Sequence, residues 1–114
     1  MKIKQFEIWI TDLNPGMGTE AGKIRPVIVV QTDLLNTAHP STIVCPITTN
    51  VKPDSEILRV HLKKLKFGLK GDCDIMIDQI RAIDNKRLVK KVGEVDSDTA
   101  DKIRENLKIV LDLD

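Results

Sequence analysis

Short apolar stretches, separated by polar or glycine-containing connections, occupy most of the chain. Residues 6–13 (FEIWITDL) alternate apolar and more polar positions before an Asn-Pro-Gly sequence, which predicts a half-buried strand that ends in a loop. The loop lasts to about Ile24. Pro26 then opens the β-branched run 27–30, whose nearly continuous apolar character predicts a second strand that is buried on both faces.

Later segments predict further short strands. The run 42–48 (TIVCPIT) is the third, and Pro46 within it favours an edge or bulged position because proline lacks a backbone donor. The segments 56–62 (EILRVHL), 73–80 (CDIMIDQI) and 88–95 (LVKKVGEV) continue the series. Many short strands with polar connections are typical of a small barrel or sandwich.

The hydrophobic period changes to that of a helix near the C-terminus, and Asp96 or Ser97 can cap the start of this helix. Its apolar face is formed by residues at three- and four-residue spacing: Ala100, Ile103, Leu107, Val110 and Leu111. We therefore predict a mainly β fold with α structure, within one domain that spans residues 1–114. It is a strongly bent, SH3-like β-barrel of about five to seven strands, packed against a C-terminal α-helix.

Composition supports one hydrophobic core and leaves the ligand open. The chain has 114 residues, of which 41% are hydrophobic, and this is too short for a second domain. Lys and Arg total 18 against 17 Asp and Glu, so the net charge of +1 does not indicate a polyanionic ligand. A nucleic-acid site would have to come from a local arrangement of charge.

Several classes of protein are not indicated. The sequence has no secretion signal and no run of the roughly 20 apolar residues that span a membrane, and its two cysteines are too few for a disulfide framework. We therefore expect a cytoplasmic protein without membrane contact. His39 and His61 lack the spacing of a metal site, and no P-loop, GxSxG elbow or dinucleotide fingerprint is present. Neither a metal nor a cofactor is expected.

Polar groups adjoin the predicted buried strands in three segments: 18–26 (GTEAGKIRP), 46–50 (PITTN) and 76–84 (MIDQIRAID). In the first, Arg25 lies at the rim of a strand, immediately before Pro26. Its planar guanidinium can donate two parallel hydrogen bonds to a phosphate and stays charged at cellular pH. The alternative, a surface ion pair with a carboxylate, is the commoner fate of an isolated arginine.

The other two segments carry neutral donors and one acid. Thr48, Thr49 and Asn50 place two hydroxyls and an amide at a strand end, where they could bind a phosphate oxygen or a base edge, or only form a turn. Asp78 and Gln79 interrupt an apolar stretch and therefore need partners. Either this pair hydrogen-bonds the neighbouring loop, or it orients the site.

The motifs GTE, RPVIVV, PITTN and DQIRAID, in this order, resemble the MazF/PemK/Kid family of toxins of type II toxin–antitoxin systems. The resemblance covers nearly the whole chain and is strongest to the MazF branch of Gram-positive bacteria. It implies a homodimer of SH3-like barrels that acts as a sequence-specific, metal-independent endoribonuclease on single-stranded RNA. The family's reaction is attack by a ribose 2′-hydroxyl, which leaves 2′,3′-cyclic phosphate and 5′-hydroxyl ends.

The resemblance also implies roles for individual residues. Arg25 matches the catalytic arginine and Thr48 the catalytic threonine, while Glu20 is a candidate base or an orienter of Arg25. RNA contacts are predicted for six further polar residues in or beside these motifs: Thr19, Lys23, Thr49, Asn50, Asp78 and Gln79. Asp78 matches an acidic site residue of the Kid branch, but Met76 stands where that branch has an arginine, which weakens this role for Asp78. Phe6 stands where the family has glycine.

The expected partners are single-stranded RNA and a cognate MazE-like antitoxin, whose acidic, disordered C-terminal segment would fold across the active groove. Two alternatives remain open. The chain could be a non-catalytic binding module, as in gyrase poisons of the CcdB type that share this fold. It could also be a degenerate toxin that keeps antitoxin binding without cleavage.

Overall fold

A computed structural model describes all residues, 1–114, as seven strands and one α-helix. Two 3₁₀ turns, Ile77–Gln79 and Asn85–Arg87, precede β6 and β7. The α-helix α1 spans Ser97–Val110. The strands are β1 Glu7–Asp12, β2 Ile24–Val29, β3 Ser41–Thr48, β4 Arg59–Leu62, β5 Cys73–Met76, β6 Arg81–Asp84 and β7 Leu88–Glu94.

The strands form one antiparallel sheet in the order β4-β5-β3-β2-β1-β7, and β6 also pairs with β3. Seven strands and a terminal helix confirm the predicted fold class. The sheet is not closed, because β4 and β7 lie at opposite ends of the strand order. This arrangement makes β3 the central strand, with β2 on one edge and both β5 and β6 on the other.

Pro46 is not at an edge or a bulge, so that prediction is wrong. It pairs in register with Val27 of β2. On the opposite edge of β3, the partner is β6 as far as Val44 and β5 from Ile47 onward. Pro46, which has no backbone N–H to donate, therefore lies where the partner of β3 changes from β6 to β5 and where the hydrogen bonds along this edge are interrupted anyway.

The sheet separates two hydrophobic clusters. Because successive side chains of a strand point to opposite faces, Ile28 lies in one cluster while Val27 and Val29 lie in the other, and all three are fully buried. This confirms the predicted burial of β2 on both faces. Pro26 is the third residue of β2 rather than the first, and the strand extends back to Ile24.

Helix α1 covers the first cluster through the face that its spacing predicted. The Asp96 side chain accepts a hydrogen bond from the Thr99 backbone at 2.9 Å and caps the helix. Ala100 and Ile103 are buried, whereas Leu111 follows the last turn and is exposed, contrary to prediction. The helix is neither long nor apolar enough to cross a bilayer.

The predicted strand 73–80 is interrupted. Strand β5 ends at Met76, the 3₁₀ turn Ile77–Gln79 follows, and β6 then pairs with the earlier half of β3. Ile77 is buried while Asp78 is exposed. The apolar pattern of residues 73–80 therefore did not indicate that the chain turns after Met76. The turn is evident only from the pairing of β5 and β6 with different parts of β3.

Candidate functional site

Arg25 lies near the start of β2 and is half-buried. Its Nε donates to the Gly22 carbonyl at 2.8 Å. None of the ion pairs of the structure involves this residue. The guanidinium is therefore held by the backbone, and its terminal N–H groups remain available to a ligand. The surface ion pair that is usual for an isolated arginine is not what the structure contains.

Thr48 is the last residue of β3 and stands beside Arg25. Val27 and Pro46 form the last pair between β2 and β3, and just beyond this pair Arg25 and Thr48 line the same pocket. The Thr48 Oγ1 accepts a hydrogen bond from the Asn50 backbone at 3.1 Å. Because the hydroxyl acts as acceptor in this contact, its proton remains free to be donated. The turn role and the binding role of this residue are therefore compatible.

A pocket of about 300 Å³ opens at this edge of the sheet. Its lining combines two cations, hydroxyl and amide groups, and an apolar wall: Lys23, Ile24, Arg25, Pro26, Ile47, Thr48, Thr49, Asn50 and Cys73. Five residues singled out in the sequence, from two separate segments, thus meet in one cavity. Cations that face hydroxyl and amide donors suit a phosphate group and its ester oxygens.

The loop before Arg25 is closed at its base by backbone and side-chain contacts. The Leu13 N–H donates to the Lys23 carbonyl at 2.9 Å, and the Lys23 N–H donates to Asn14 Oδ1 at 2.8 Å. Arg87 Nη1 donates to the carbonyls of Asp12 and Asn14, at 3.0 and 2.7 Å. These contacts hold the Lys23 backbone in place at the mouth of the pocket.

Gln79 binds the tip of the same loop with both ends of its amide. Its Oε1 accepts from the Ala21 N–H at 3.1 Å, and its Nε2 donates to the Thr19 carbonyl at 2.9 Å. Of the two interpretations left open by the sequence, the structure therefore shows loop binding for Gln79, whereas the Asp78 side chain makes no hydrogen bond or ion pair. Thr19, Glu20 and Asp78 are exposed, and with Gln79 they lie outside the pocket lining.

Sequence reasoning missed a buried carboxylate next to the pocket. Asp74 of β5 pairs in register with Thr48 and is fully buried. Its Oδ2 accepts from the Lys52 N–H at 2.8 Å and from Arg59 Nη1 at 3.1 Å, and its Oδ1 lies 2.6 Å from His61 Nδ1. The available signal was an acid inside an apolar strand, with two basic residues two positions apart in the preceding strand.

The two cysteines are buried free thiols. Burial, and to a lesser degree the charge of Asp78, raises the pKa of Cys45 to about 12. Burial also raises the pKa of Cys73, as do the neighbouring Asp72 and Asp74. Cys73 therefore contributes a neutral wall to the pocket rather than a nucleophile. No three His, Cys, Asp or Glu side chains are grouped so that they could hold a metal ion.

Comparison with known proteins relates this site and fold to one family. The family model described as "PemK-like, MazF-like toxin of type II toxin-antitoxin system" matches residues 4–111. The chain is 35% identical over 113 residues to endoribonuclease EndoA of Bacillus subtilis (strain 168), covering 99% of this chain and 97% of EndoA.

Solved structures share the fold at lower identity. MazF from Deinococcus radiodurans superposes with a TM-score of 0.83 at 20% identity, covering 99% of both chains. An endoribonuclease in complex with its cognate antitoxin, from a mycobacterial species, gives 0.75 at 19% identity, covering 98% of this chain and 95% of that one. The chain belongs to the family of PemK-like, MazF-like toxins of type II toxin–antitoxin systems.

Proposed function

We propose that this toxin is a sequence-specific endoribonuclease that cleaves single-stranded RNA, so that loss of messenger RNA inhibits translation and growth. The observation that carries the proposal is the meeting of Arg25 and Thr48 in one pocket, each with donor groups unused by the fold. The name and activity of EndoA, which matches over almost the entire chain, support the same conclusion.

The proposed reaction takes its nucleophile from the substrate. A ribose 2′-oxygen loses its proton to a base and forms a bond to the adjacent phosphorus. The bond from phosphorus to the 5′-oxygen breaks and this oxygen takes up a proton, so the products are a 2′,3′-cyclic phosphate and a 5′-hydroxyl. The protein's task is to hold these atoms in line and to neutralise the charge that develops on the phosphorane oxygens. No metal or cofactor is required for these two tasks.

Arg25 and Thr48 divide this work. The terminal N–H groups of Arg25 bind the phosphorane oxygens, because a guanidinium donates to two of them in parallel. The Thr48 hydroxyl, which already accepts from the Asn50 backbone, donates its proton to a phosphate oxygen. A guanidinium is too weak a base to take the 2′ proton. Glu20 is our candidate for that role or for orienting Arg25, and the role requires its loop to approach bound RNA.

The remaining polar residues bind the RNA on either side of the cleaved bond. Lys23, Thr49 and Asn50 line the pocket and would contact neighbouring phosphates and base edges. Thr19, Asp78 and Gln79 lie around the supporting loop and would make peripheral RNA contacts or shape its edge.

We also propose that the toxin is a cytoplasmic homodimer that a MazE-like antitoxin silences. An acidic antitoxin segment that folds on binding would be attracted by the same cations that attract RNA, Lys23 and Arg25. The structural neighbour solved with its cognate antitoxin supports a partner of this kind. Inhibition would then occur by direct competition for the pocket.

Cleavage of a long single-stranded RNA in excess EDTA tests the proposal. Wild type should cut at a short sequence and leave cyclic-phosphate and 5′-hydroxyl ends. Arg25→Ala and Thr48→Ala should each lower kcat by about 10²- to 10³-fold, the typical effect of removing one donor to a developing oxyanion. Arg104→Ala and Thr32→Ala, which change an arginine and a threonine outside the pocket, should cleave at wild-type rates.

Two outcomes would overturn the proposal. A folded wild type that makes no cuts would favour a gyrase-poison-like binding module or a degenerate toxin. Cuts that persist unchanged in both pocket variants would remove Arg25 and Thr48 from the chemistry.

A further inference from the structure

The sheet contains a buried carboxylate, Asp74, outside the lining of the pocket. Asp74 is fully buried, and its side chain lies on the face of the sheet opposite to that of its neighbours Cys73 and Ile75, which belong to the first hydrophobic cluster. Removing an ion from water costs several kcal/mol, and a buried ion pair is often no more stable than apolar residues of similar volume. Stability alone therefore does not account for an acid at this position.

The partners of Asp74 lead to the pocket. Oδ2 receives the Lys52 N–H at 2.8 Å and Arg59 Nη1 at 3.1 Å. The same Nη1 also donates to the Asn50 carbonyl at 3.0 Å. The segment that leaves β3 after Thr48 is thus bound to Asp74 directly at the Lys52 N–H and, through Arg59, at the Asn50 carbonyl.

His61 fixes the second oxygen of this carboxylate. Its Nδ1 lies 2.6 Å from Oδ1, and its side chain is 39% exposed while that of Asp74 is 0% exposed. With one oxygen held by His61 and the other by Arg59 and Lys52, the carboxylate cannot rotate without breaking a hydrogen bond. Register places Thr48, Asp74 and His61 side by side on three neighbouring strands, on one face of the sheet.

We propose that Asp74, acting with Arg59, is a positioning residue of the RNA-cleavage reaction. The buried carboxylate holds the segment 49–52 in place, and the Asn50 N–H in turn keeps the Thr48 hydroxyl oriented towards the phosphate. The inference rests on the proposed endoribonuclease function. Its consequence is that a group outside the pocket lining determines the geometry of Thr48, Thr49 and Asn50.

Two variants separate positioning from folding. Asp74→Asn keeps one oxygen for Lys52 and Arg59 and can donate its amide to His61 in the other tautomer, so it should retain cleavage within about threefold of wild type. The double variant Arg59→Met/Asp74→Leu removes both charges, and apolar replacement of such a pair is often tolerated. We expect it to fold and to lose kcat by roughly 100-fold, because a small misplacement of a catalytic group can cost this much. KM should rise by a smaller factor, since Thr49 and Asn50 shift while Lys23 and Arg25 keep their positions.

Glu7 and Lys91 supply a matched control. Glu7 is also a buried strand carboxylate held by a backbone N–H and a cation, with Lys91 Nζ at 3.0 Å, and it does not line the pocket. Glu7→Leu/Lys91→Met should leave kcat unchanged. A folded Arg59→Met/Asp74→Leu variant with wild-type kcat would overturn the positioning role. An equal kcat loss in the control would also overturn it, because the effect would then be general.

Amide hydrogen exchange of the Lys52 N–H gives a readout that does not depend on cleavage. Protection should persist in Asp74→Asn and fall at least tenfold in the double variant. If wild type cuts no RNA, the proposed function fails while this exchange result still reports on the tie to position 52. Unchanged protection in the double variant would overturn the positioning role whatever the RNA result.

Discussion

Phe6 carries an aromatic side chain on a left-handed backbone, with φ at +67°. The family motif given above has glycine at this position, where positive φ carries no penalty. Here the ring packs against the first hydrophobic cluster, and the Arg104 guanidinium lies 4.6 Å from its centroid. Packing and a cation–π contact therefore compensate for backbone strain.

Substitution of Phe6 should show an unusual order of stability. Phe6→Ala loses the packing and keeps the strain, whereas Phe6→Gly loses the packing and relieves the strain. We expect both to be destabilised and Phe6→Gly to be the more stable of the two by about 1 kcal/mol in urea unfolding. At an ordinary strand position alanine would be the better residue, so an alanine variant as stable as the glycine variant would contradict this account.

Glu7 should make stability depend on pH. Burial by itself raises its pKa, but hydrogen bonds from the Lys4 N–H, Lys91 and Trp9 outweigh burial and hold the pKa below 4.5. Because the pKa of Glu7 is lower in the folded than in the unfolded protein, its ionised carboxylate stabilises the fold at pH values above 4.5. This contribution is lost as the pH falls through the lowered pKa. The difference in unfolding free energy between wild type and Glu7→Gln should therefore shrink from pH 6 to pH 3. The exposed Glu56→Gln is the control, and a constant difference for Glu7→Gln would contradict the prediction.

Among loops, the one before β2 depends on a close contact between two glycines. A Cβ on Gly22 would lie 2.8 Å from the Gly16 nitrogen and 2.9 Å from its Cα, and neither backbone atom can move independently. The Gly22 carbonyl is also the acceptor for Arg25 Nε. The conformation of this loop and the orientation of the arginine are therefore coupled.

Gly22→Ala should consequently reduce cleavage more than stability. The added methyl group would push residues 16 and 22 apart and so shift the Arg25 guanidinium. We expect kcat to fall about tenfold or more. Gly71→Ala is the control, because a Cβ there meets nothing within 4 Å. Thermal unfolding of both variants, measured beside RNA cleavage, separates the two effects. A Gly22→Ala variant with full kcat would show that Arg25 does not depend on this contact.

Across the entire molecule, charge is nearly balanced, with a net value of +1, and RNA attraction must come from local cations. Binding to a substrate with a 2′-deoxyribose at the cut site should weaken steeply as salt rises, because phosphate contacts release counterions. Lys23→Gln should lower the slope of log affinity against log salt by about 0.7, the value for one phosphate contact on a single strand. A slope equal to that of wild type would remove Lys23 from the phosphate contacts, and a flat response would argue against a basic groove.

Prediction from sequence succeeded where a property depends on neighbouring residues. Helix α1 and the two-faced burial of β2 follow from apolar spacing over a few residues. The same approach misjudged Pro46 and the break after Met76. Both depend on which partner strand lies alongside β3, and a local pattern contains no information about the partner.

Residue type by itself determined the available chemistry: a permanently charged guanidinium at Arg25 and a hydroxyl donor at Thr48. Only the tertiary structure decided which groups meet. The Gln79 amide reaches the Thr19 carbonyl across 60 positions, and Asp74 holds Lys52 across 22, through contacts that arise from strand register and loop closure. The packed fold decides which side chains are buried and which distant residues they hydrogen-bond. The role of an acid within an apolar strand, such as Asp74, is therefore defined only by the tertiary structure.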